Sequence, residues 1–297
     1  MFAGTGTALV TPFKRDGSID EEALRRLVDF QESNGIDILL PCGSTGESST
    51  LAREEHLRAI GIVRDQARKA KVLAGAGSNS TFEAVDLSKE AADIGVDGIL
   101  SVSPYYVKPT QEGIFRHYSA IADAVDVPIV VYNIPGRTGS NITADTLMRL
   151  AGIDNIVGVK EASGNMAQIQ DILARRPEGF EVLSGDDALT LAMVLSGADG
   201  VISVASNCCP ALMSDLVGNA RSGNAKDARS IHDRLLPLFR GLFVESNPIP
   251  VKYVMGLMGY GSGEPRLPLT CLSAEGRARL DPVLEDLGIV PGKEMIA

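Results

Sequence analysis

The sequence predicts an α/β fold, a closed (β/α)8 TIM barrel with a C-terminal helical domain. Three features carry this expectation. A phrase recurs where helical patterns end: Gly35-Ile36-Asp37-Ile38, Gly95-Val96-Asp97-Gly98 and Gly197-Ala198-Asp199-Gly200. Short apolar runs alternate with amphipathic stretches up to Val204, and beyond it the pattern is helical only. Eight such units in roughly 205 residues suit a closed barrel, with an open doubly wound sheet as the alternative.

The recurring glycine reads as a helix C-cap, followed by a tight turn and a buried strand. Strands are expected at 6–10, 38–40, 72–76, 98–101, 129–132, 156–160, 182–184 and 200–203. Their continuous apolar character implies parallel pairing with both faces covered. Between them, Asp20 opens an amphipathic stretch, and Thr81 is the expected N-cap of a helix running to Ala92. Helices are then expected at 211–220, 226–244, 250–258 and 273–287, and Gly223-Asn224-Ala225 divides a barrel (1–224) from a helical domain (225–297).

Composition narrows the function. The 297 residues carry 28 Lys and Arg against 38 Asp and Glu, a net charge of −10 that argues against nucleic acid or an anionic membrane as partner. Four cysteines without a CxxC pair suggest reduced thiols and a cytoplasmic location. The N-terminus lacks a signal-peptide pattern, and no 18-residue apolar stretch spans a membrane. His56, His117 and His232 are far apart, so no metal site is expected. There is no GxSxG elbow or Walker loop, and Gly75-Ala76-Gly77 lacks the third glycine of a dinucleotide fingerprint.

Lysine is the informative residue type. Lys69 and Lys89 fall in charged helical stretches, and Lys71 starts a strand. Lys14, Lys108, Lys226 and Lys293 lie in loops or the tail, while Lys252 precedes an apolar helix and suits packing or snorkelling. Lys160 instead ends the run Asn155-Ile156-Val157-Gly158-Val159-Lys160. Strict alternation puts Ile156, Gly158 and Lys160 on one face, with Gly158 leaving room beneath the lysine. An inward-facing amine there stands at the C-terminal mouth, where barrel enzymes keep their chemistry. Partial desolvation lowers its pKa, and a neutral amine forms a Schiff base with a carbonyl. The spacing equally allows a buried lysine paired with Glu161 or another carboxylate.

Neighbouring strand ends supply suitable company. Tyr132 can move protons or simply fill the core. Ser44 and Thr45, within Gly43-Ser44-Thr45-Gly46-Glu47, offer hydroxyls and turn N–H groups to a carboxylate, or merely shape the turn. Arg137 can grip a carboxylate at two points or lie on the surface. Tyr105 and Tyr106 suit an interface.

In chain order, these residues resemble the dihydrodipicolinate synthase branch of the pyruvate-dependent class I aldolase superfamily. The carriers are the 43–48 turn, Ser103-Pro104-Tyr105-Tyr106, Tyr132-Asn133-Ile134-Pro135-Gly136-Arg137-Thr138-Gly139, Gly158-Val159-Lys160-Glu161-Ala162-Ser163, Ser184-Gly185-Asp186-Asp187, the 200–204 strand and Asn247-Pro248-Ile249-Pro250-Val251-Lys252. The likeness spans essentially the whole chain.

The resemblance implies no cofactor beyond a covalent imine of pyruvate on Lys160. It implies a proton relay of Tyr132, Thr45 and a neighbouring subunit's counterpart of Tyr106. It gives Ser44 and Thr45 the pyruvate carboxylate, Arg137 the carboxylate of aspartate 4-semialdehyde, and Gly185, Asp186 and Ile202 places in the pocket. Ser44 stands where threonine is common, and a hydroxyl is retained. Sialic acid lyases usually lack the Gly-Arg-Thr-Gly found here. The family's lysine feedback site maps to Ser48, Ser49, His56, Asn79, Glu83 and Tyr105, with Arg53 where sensitive members often carry histidine. The expected assembly is a homotetramer, a dimer of dimers. Other readings are a pyruvate aldolase acting on a sugar acid or 4-hydroxy-2-oxo acid, and a non-catalytic keto-acid sensor.

Overall fold

The computed structural model of the chain describes residues 1–289. Eight strands alternate with helices: β1 (Gly4–Ala8), α1 (Glu21–Ser33), β2 (Ile38–Leu40), α2 (Arg53–Gln66), β3 (Lys71–Gly75), α3 (Thr81–Asp93), β4 (Gly98–Val102), α4 (Gln111–Ala122), β5 (Ile129–Asn133), α5 (Pro135–Thr138), α6 (Ala144–Leu150), β6 (Ile156–Glu161), α7 (Met166–Arg175), β7 (Glu181–Ser184), α8 (Thr190–Leu195) and β8 (Gly200–Ser203). All neighbours pair in parallel and β8 closes on β1, giving the expected barrel rather than an open sheet. Helices α9 (Pro210–Arg221), α10 (Ala225–Gly241), α11 (Ile249–Leu257) and α12 (Ala274–Asp286) follow, with α10 packed on α8, α9 and α12. Lys293 lies outside the described residues. No helix among the described residues is long and apolar enough to cross a membrane.

The recurring phrase works through its aspartate as well as its glycine. Gly35, Gly95 and Gly197 take φ of +81°, +84° and +107°, a conformation that costs glycine little. Asp37, Asp97 and Asp199 then clasp the neighbouring strand. The backbone N–H of each donates to the carbonyl of Thr5, Val72 or Val182, and its carboxylate accepts the N–H of that same residue. Each aspartate thereby fixes the register at the bottom of one strand pair.

Most boundaries fall within a residue of expectation, but α10 ends at Gly241 rather than at 244. β1 begins two residues before the expected 6–10 and ends at Ala8, because Val10 leaves the ladder to donate its N–H to the side chain of Asn207. Helix α3 is capped by Ser80, not Thr81, with the serine hydroxyl accepting the Glu83 N–H. Thr81 instead bonds His117 Nδ1 at 2.9 Å.

Alternation along the strands sorts side chains between two cores. Ile38, Leu40, Leu73, Leu100, Val130, Tyr132, Leu183 and Ile202 fill the barrel interior, closed below by Phe2. Leu39, Val72, Ile99, Val131, Val159, Val182 and Val201 face the helices. Strand β6 breaks the alternation. Ile129 pairs with Ile156, but Val130 pairs with Gly158, so one extra residue bulges out near Val157. Ile156 consequently faces the helices and Val157 the interior. The expectation that Ile156 and Lys160 share a face is therefore wrong, while Lys160 still points inward. Its register partners, Tyr132 and Leu183, are both interior residues.

Candidate active site

Lys160 stands at the C-terminal end of β6, 5% exposed, with Nζ 4.4 Å from the centre of the Tyr132 ring. It forms no ion pair within 4.0 Å among the described residues. Burial brings its pKa down to about 7; the Asp187 carboxylate opposes this, and the Arg137 cation adds to it. Pairing with Glu161 is excluded. That carboxylate accepts from Asn133 Nδ2 at 2.9 Å and from the Ser163 N–H at 2.7 Å. Successive residues on a strand face opposite ways, and Glu161 falls on the other face.

The glycines near the lysine act differently from expectation. A Cβ on Gly158 would lie 2.5 Å from the Glu181 carbonyl oxygen, so this glycine admits the backbone of β7 rather than making room for Lys160. Gly185 is the one that touches the lysine chain. A Cβ there would lie 3.1 Å from Lys160 Cε and 3.2 Å from Cγ.

Tyr132 is buried, which pushes its phenol up to about 12, while Arg137 and a hydrogen bond with Ser44 pull the other way. At neutral pH it is a protonated phenol, a donor beside a partly neutral amine. Thr45 is buried on the turn after β2, and its Oγ1 accepts from Asn247 Nδ2 at 3.0 Å. Arg137, on the short helix α5 and largely exposed, donates from Nη2 to the Asn247 carbonyl at 3.0 Å. Asn247 thus joins Thr45 to Arg137. No local feature of the Asn247-Pro248-Ile249-Pro250 stretch marks this role.

Asp187, which the sequence gives no role of its own, also faces this group. It is 3% exposed, and burial raises its pKa. Its Oδ2 accepts the N–H groups of Val204 and Ala205 at 3.0 and 2.9 Å, and these bonds and one with the Ser203 side chain oppose the rise. Asp186, the expected substrate ligand, uses its carboxylate to cap the turn 187–189 through the Ala188 N–H. Ile202 lies in the barrel interior against Gly6, where a Cβ would come within 2.5 Å of its Cδ1.

A cleft of about 610 Å³ opens beside this group. It is lined by Ser44 and Arg137 and also by Ser48, Ser49, Arg53, His56, Glu83 and Tyr105, though not by Lys160 or Asn79. Arg53 is tied up on the surface by Glu90, Nε to Oε2 2.9 Å. His56 is buried, its Nε2–H donating to the Gly75 carbonyl at 2.7 Å, and burial lowers its pKa. Tyr106 is not brought to Lys160 within the chain; it sits on a loop with φ +72° and is 87% exposed. Lys252, expected to pack or snorkel, is instead buried in an ion pair with Glu47. Among the described residues no three histidine, cysteine or acidic side chains group as a metal site.

Comparisons with known proteins cover nearly the whole of the chain. The profile of the "Dihydrodipicolinate synthetase family" covers residues 1–287. The 4-hydroxy-tetrahydrodipicolinate synthase of Chloroherpeton thalassium is 54% identical over 290 residues, covering 97% of this chain and 96% of its own. The crystal structure of dihydrodipicolinate synthase from Aquifex aeolicus superposes with a TM-score of 0.96 at 46% identity, covering 98% and 100% of the two chains. The chloride-inhibited dihydrodipicolinate synthase from Acinetobacter baumannii, crystallised with pyruvate, gives a TM-score of 0.96 at 42% identity, with the same coverage.

Proposed function

The chain belongs to the dihydrodipicolinate synthetase family, and on that premise we propose that it is a Schiff-base-forming 4-hydroxy-tetrahydrodipicolinate synthase in the diaminopimelate route to lysine, condensing pyruvate with L-aspartate 4-semialdehyde. The observation that carries this reading is Lys160, a buried amine without an ion-pair partner at the barrel mouth, with its pKa near 7. The pyruvate complex of the Acinetobacter relative supports the keto acid as the first substrate.

In this reading the neutral Lys160 amine adds to the pyruvate C2 carbonyl, and the carbinolamine loses water to give the iminium. Tyr132, whose ring centre lies 4.4 Å from Nζ and whose phenol is hydrogen-bonded to Ser44, passes protons in a relay with Thr45 and a neighbouring subunit's counterpart of Tyr106. Such proton transfer is worth roughly 10²–10⁴-fold in rate. Hydroxyls and turn N–H groups at 44–45 hold the pyruvate carboxylate. The iminium loses a methyl proton to become an enamine, whose carbon attacks the semialdehyde carbonyl. Attack of the substrate's own amine on C2 closes the ring and releases Lys160. Arg137 takes the second carboxylate, and Gly185, Asp186 and Ile202 border the pocket.

Borohydride reduction in the presence of pyruvate tests this. The expected product is one reduced pyruvyl adduct per chain, mapping to Lys160; an unchanged intact mass points to a keto-acid sensor. Turnover with N-acetylneuraminate rather than the semialdehyde would point to a sugar-acid aldolase.

The proposed assembly is a homotetramer in the cytoplasm, with Tyr106 reaching the neighbouring subunit's site. The exposed side chain of Tyr106 supports this. Mixed oligomers of Tyr106→Phe and Lys160→Ala chains are expected to recover activity that neither parent has, up to about a quarter of wild type for independent shared sites. No recovery in a verified mixed oligomer counts against a shared site. The cleft carrying Ser48, Ser49, His56, Glu83 and Tyr105 is the proposed lysine site, with Asn79 at its margin. Arg53, paired with Glu90, need not repel the ligand.

A further inference from the structure

The turn that carries Ser44 and Thr45 doubles back at Glu47, which takes φ +57°, a left-handed conformation that residues with side chains seldom adopt. The Glu47 side chain is fully buried, and Lys252 Nζ lies 2.5 Å from its Oε1. The other oxygen accepts the Arg266 backbone N–H at 2.9 Å and the Thr50 hydroxyl at 3.3 Å. Lys252 Nζ also donates to the Thr11 carbonyl at 3.1 Å and lies 3.8 Å from the centre of the Phe13 ring. In return, the Thr11 hydroxyl donates to the Gly46 carbonyl at 2.7 Å. Three segments distant in sequence therefore meet at one ion pair, two residues from Thr45: the loop after β1, the turn after β2, and helix α11. The α11 segment also supplies Asn247, which donates to Thr45 Oγ1.

We infer that Lys252 and Glu47 are positioning residues that aim the Thr45 and Ser44 hydroxyls at the keto acid. The inference rests on the pyruvate-binding role proposed for that turn. A buried ion pair is a poor source of stability, since apolar residues of similar volume often replace one at no cost. Its better-attested use is to specify one geometry among several, which a strained turn beside a reactive lysine requires. A misplacement of about 1 Å at such a site can cost up to roughly 10²-fold.

The test is pyruvate-dependent borohydride trapping of the intact protein, with the melting temperature measured alongside. The double variant Glu47→Gln/Lys252→Met removes both charges together and leaves no buried charge unpaired. Its half-saturating pyruvate concentration is expected to rise about tenfold, while adduct at saturation still reaches one per chain. Lys252→Arg keeps the charge and should lie between the double variant and wild type. A purely structural role would lower the melting temperature or the adduct yield and leave half-saturation unchanged; that result in the double variant overturns the inference. If the double variant does not fold, Thr50→Val, which removes the hydroxyl that donates to both the carboxylate and the backbone carbonyl of Glu47, at 3.3 and 3.1 Å, replaces it with an expected rise of about threefold, and an unchanged value there overturns the inference equally. Failure of wild type itself to be trapped would instead refute the proposed function.

Discussion

Lys160→Ala is expected to yield no borohydride-trapped pyruvate adduct and to lose about 10⁴-fold or more in kcat, the scale seen when a covalent nucleophile is removed. The fold should survive. The amine is buried, so its removal relieves a desolvation cost, and no ion pair is left half-made. The wild-type pH dependence follows from the same burial. A free lysine near 10.5 is neutral to only about 3 parts in 10⁴ at pH 7, whereas one at about 7 is half neutral. Since the neutral form attacks, the trapping rate at low pyruvate should rise about tenfold per pH unit below 7 and level off above it. A pH-independent rate between 5 and 8, or a midpoint near 10, would show that the amine is not desolvated as described.

Arg137→Ala is expected to separate the two substrates. Pyruvate trapping should persist, while kcat/KM for aspartate semialdehyde falls about 10²-fold through loss of a charge-assisted two-point contact. The guanidinium is suited to this, because it is exposed toward the cleft and is oriented by the Asn247 carbonyl at 3.0 Å. A second effect is independent of substrate. The Arg137 cation contributes to the lowered pKa of Lys160, so its removal should move the midpoint of the trapping profile upward in pH. Equal loss of both substrates, with the midpoint unmoved, would show that Arg137 serves the turn structure rather than the second carboxylate.

The strand ends show how far side-chain chemistry was legible. Lys160, Tyr132, Ser44 and Thr45 stood out because each ends an apolar run, and the closed barrel brings those ends together. Asp186 and Asp187 are adjacent in the same motif, yet the structure gives them opposite tasks. Asp186 caps a turn, and Asp187 is buried within electrostatic reach of Lys160. Nothing in a two-residue acidic pair says which member turns inward. Lys252 was misread because its partner, Glu47, lies 205 residues away.

The residues alone determined eight parallel strands alternating with helices and a lysine at the end of the sixth; closure of β8 on β1, which puts that lysine at a barrel mouth, came from the tertiary structure. The strands and helices follow from local periodicity and from the recurring glycines at 35, 95 and 197 that end helices, and both are written in consecutive residues. Only the tertiary structure decided that β6 bulges between Ile156 and Gly158, that Gly185 rather than Gly158 touches the lysine chain, and that Glu47 and Asn247 tie the 44–45 turn to α11. Each of those depends on which distant atoms compete for one small buried volume. Close packing and the need to pair every buried charge settle such contests, and neither has a signature in local spacing.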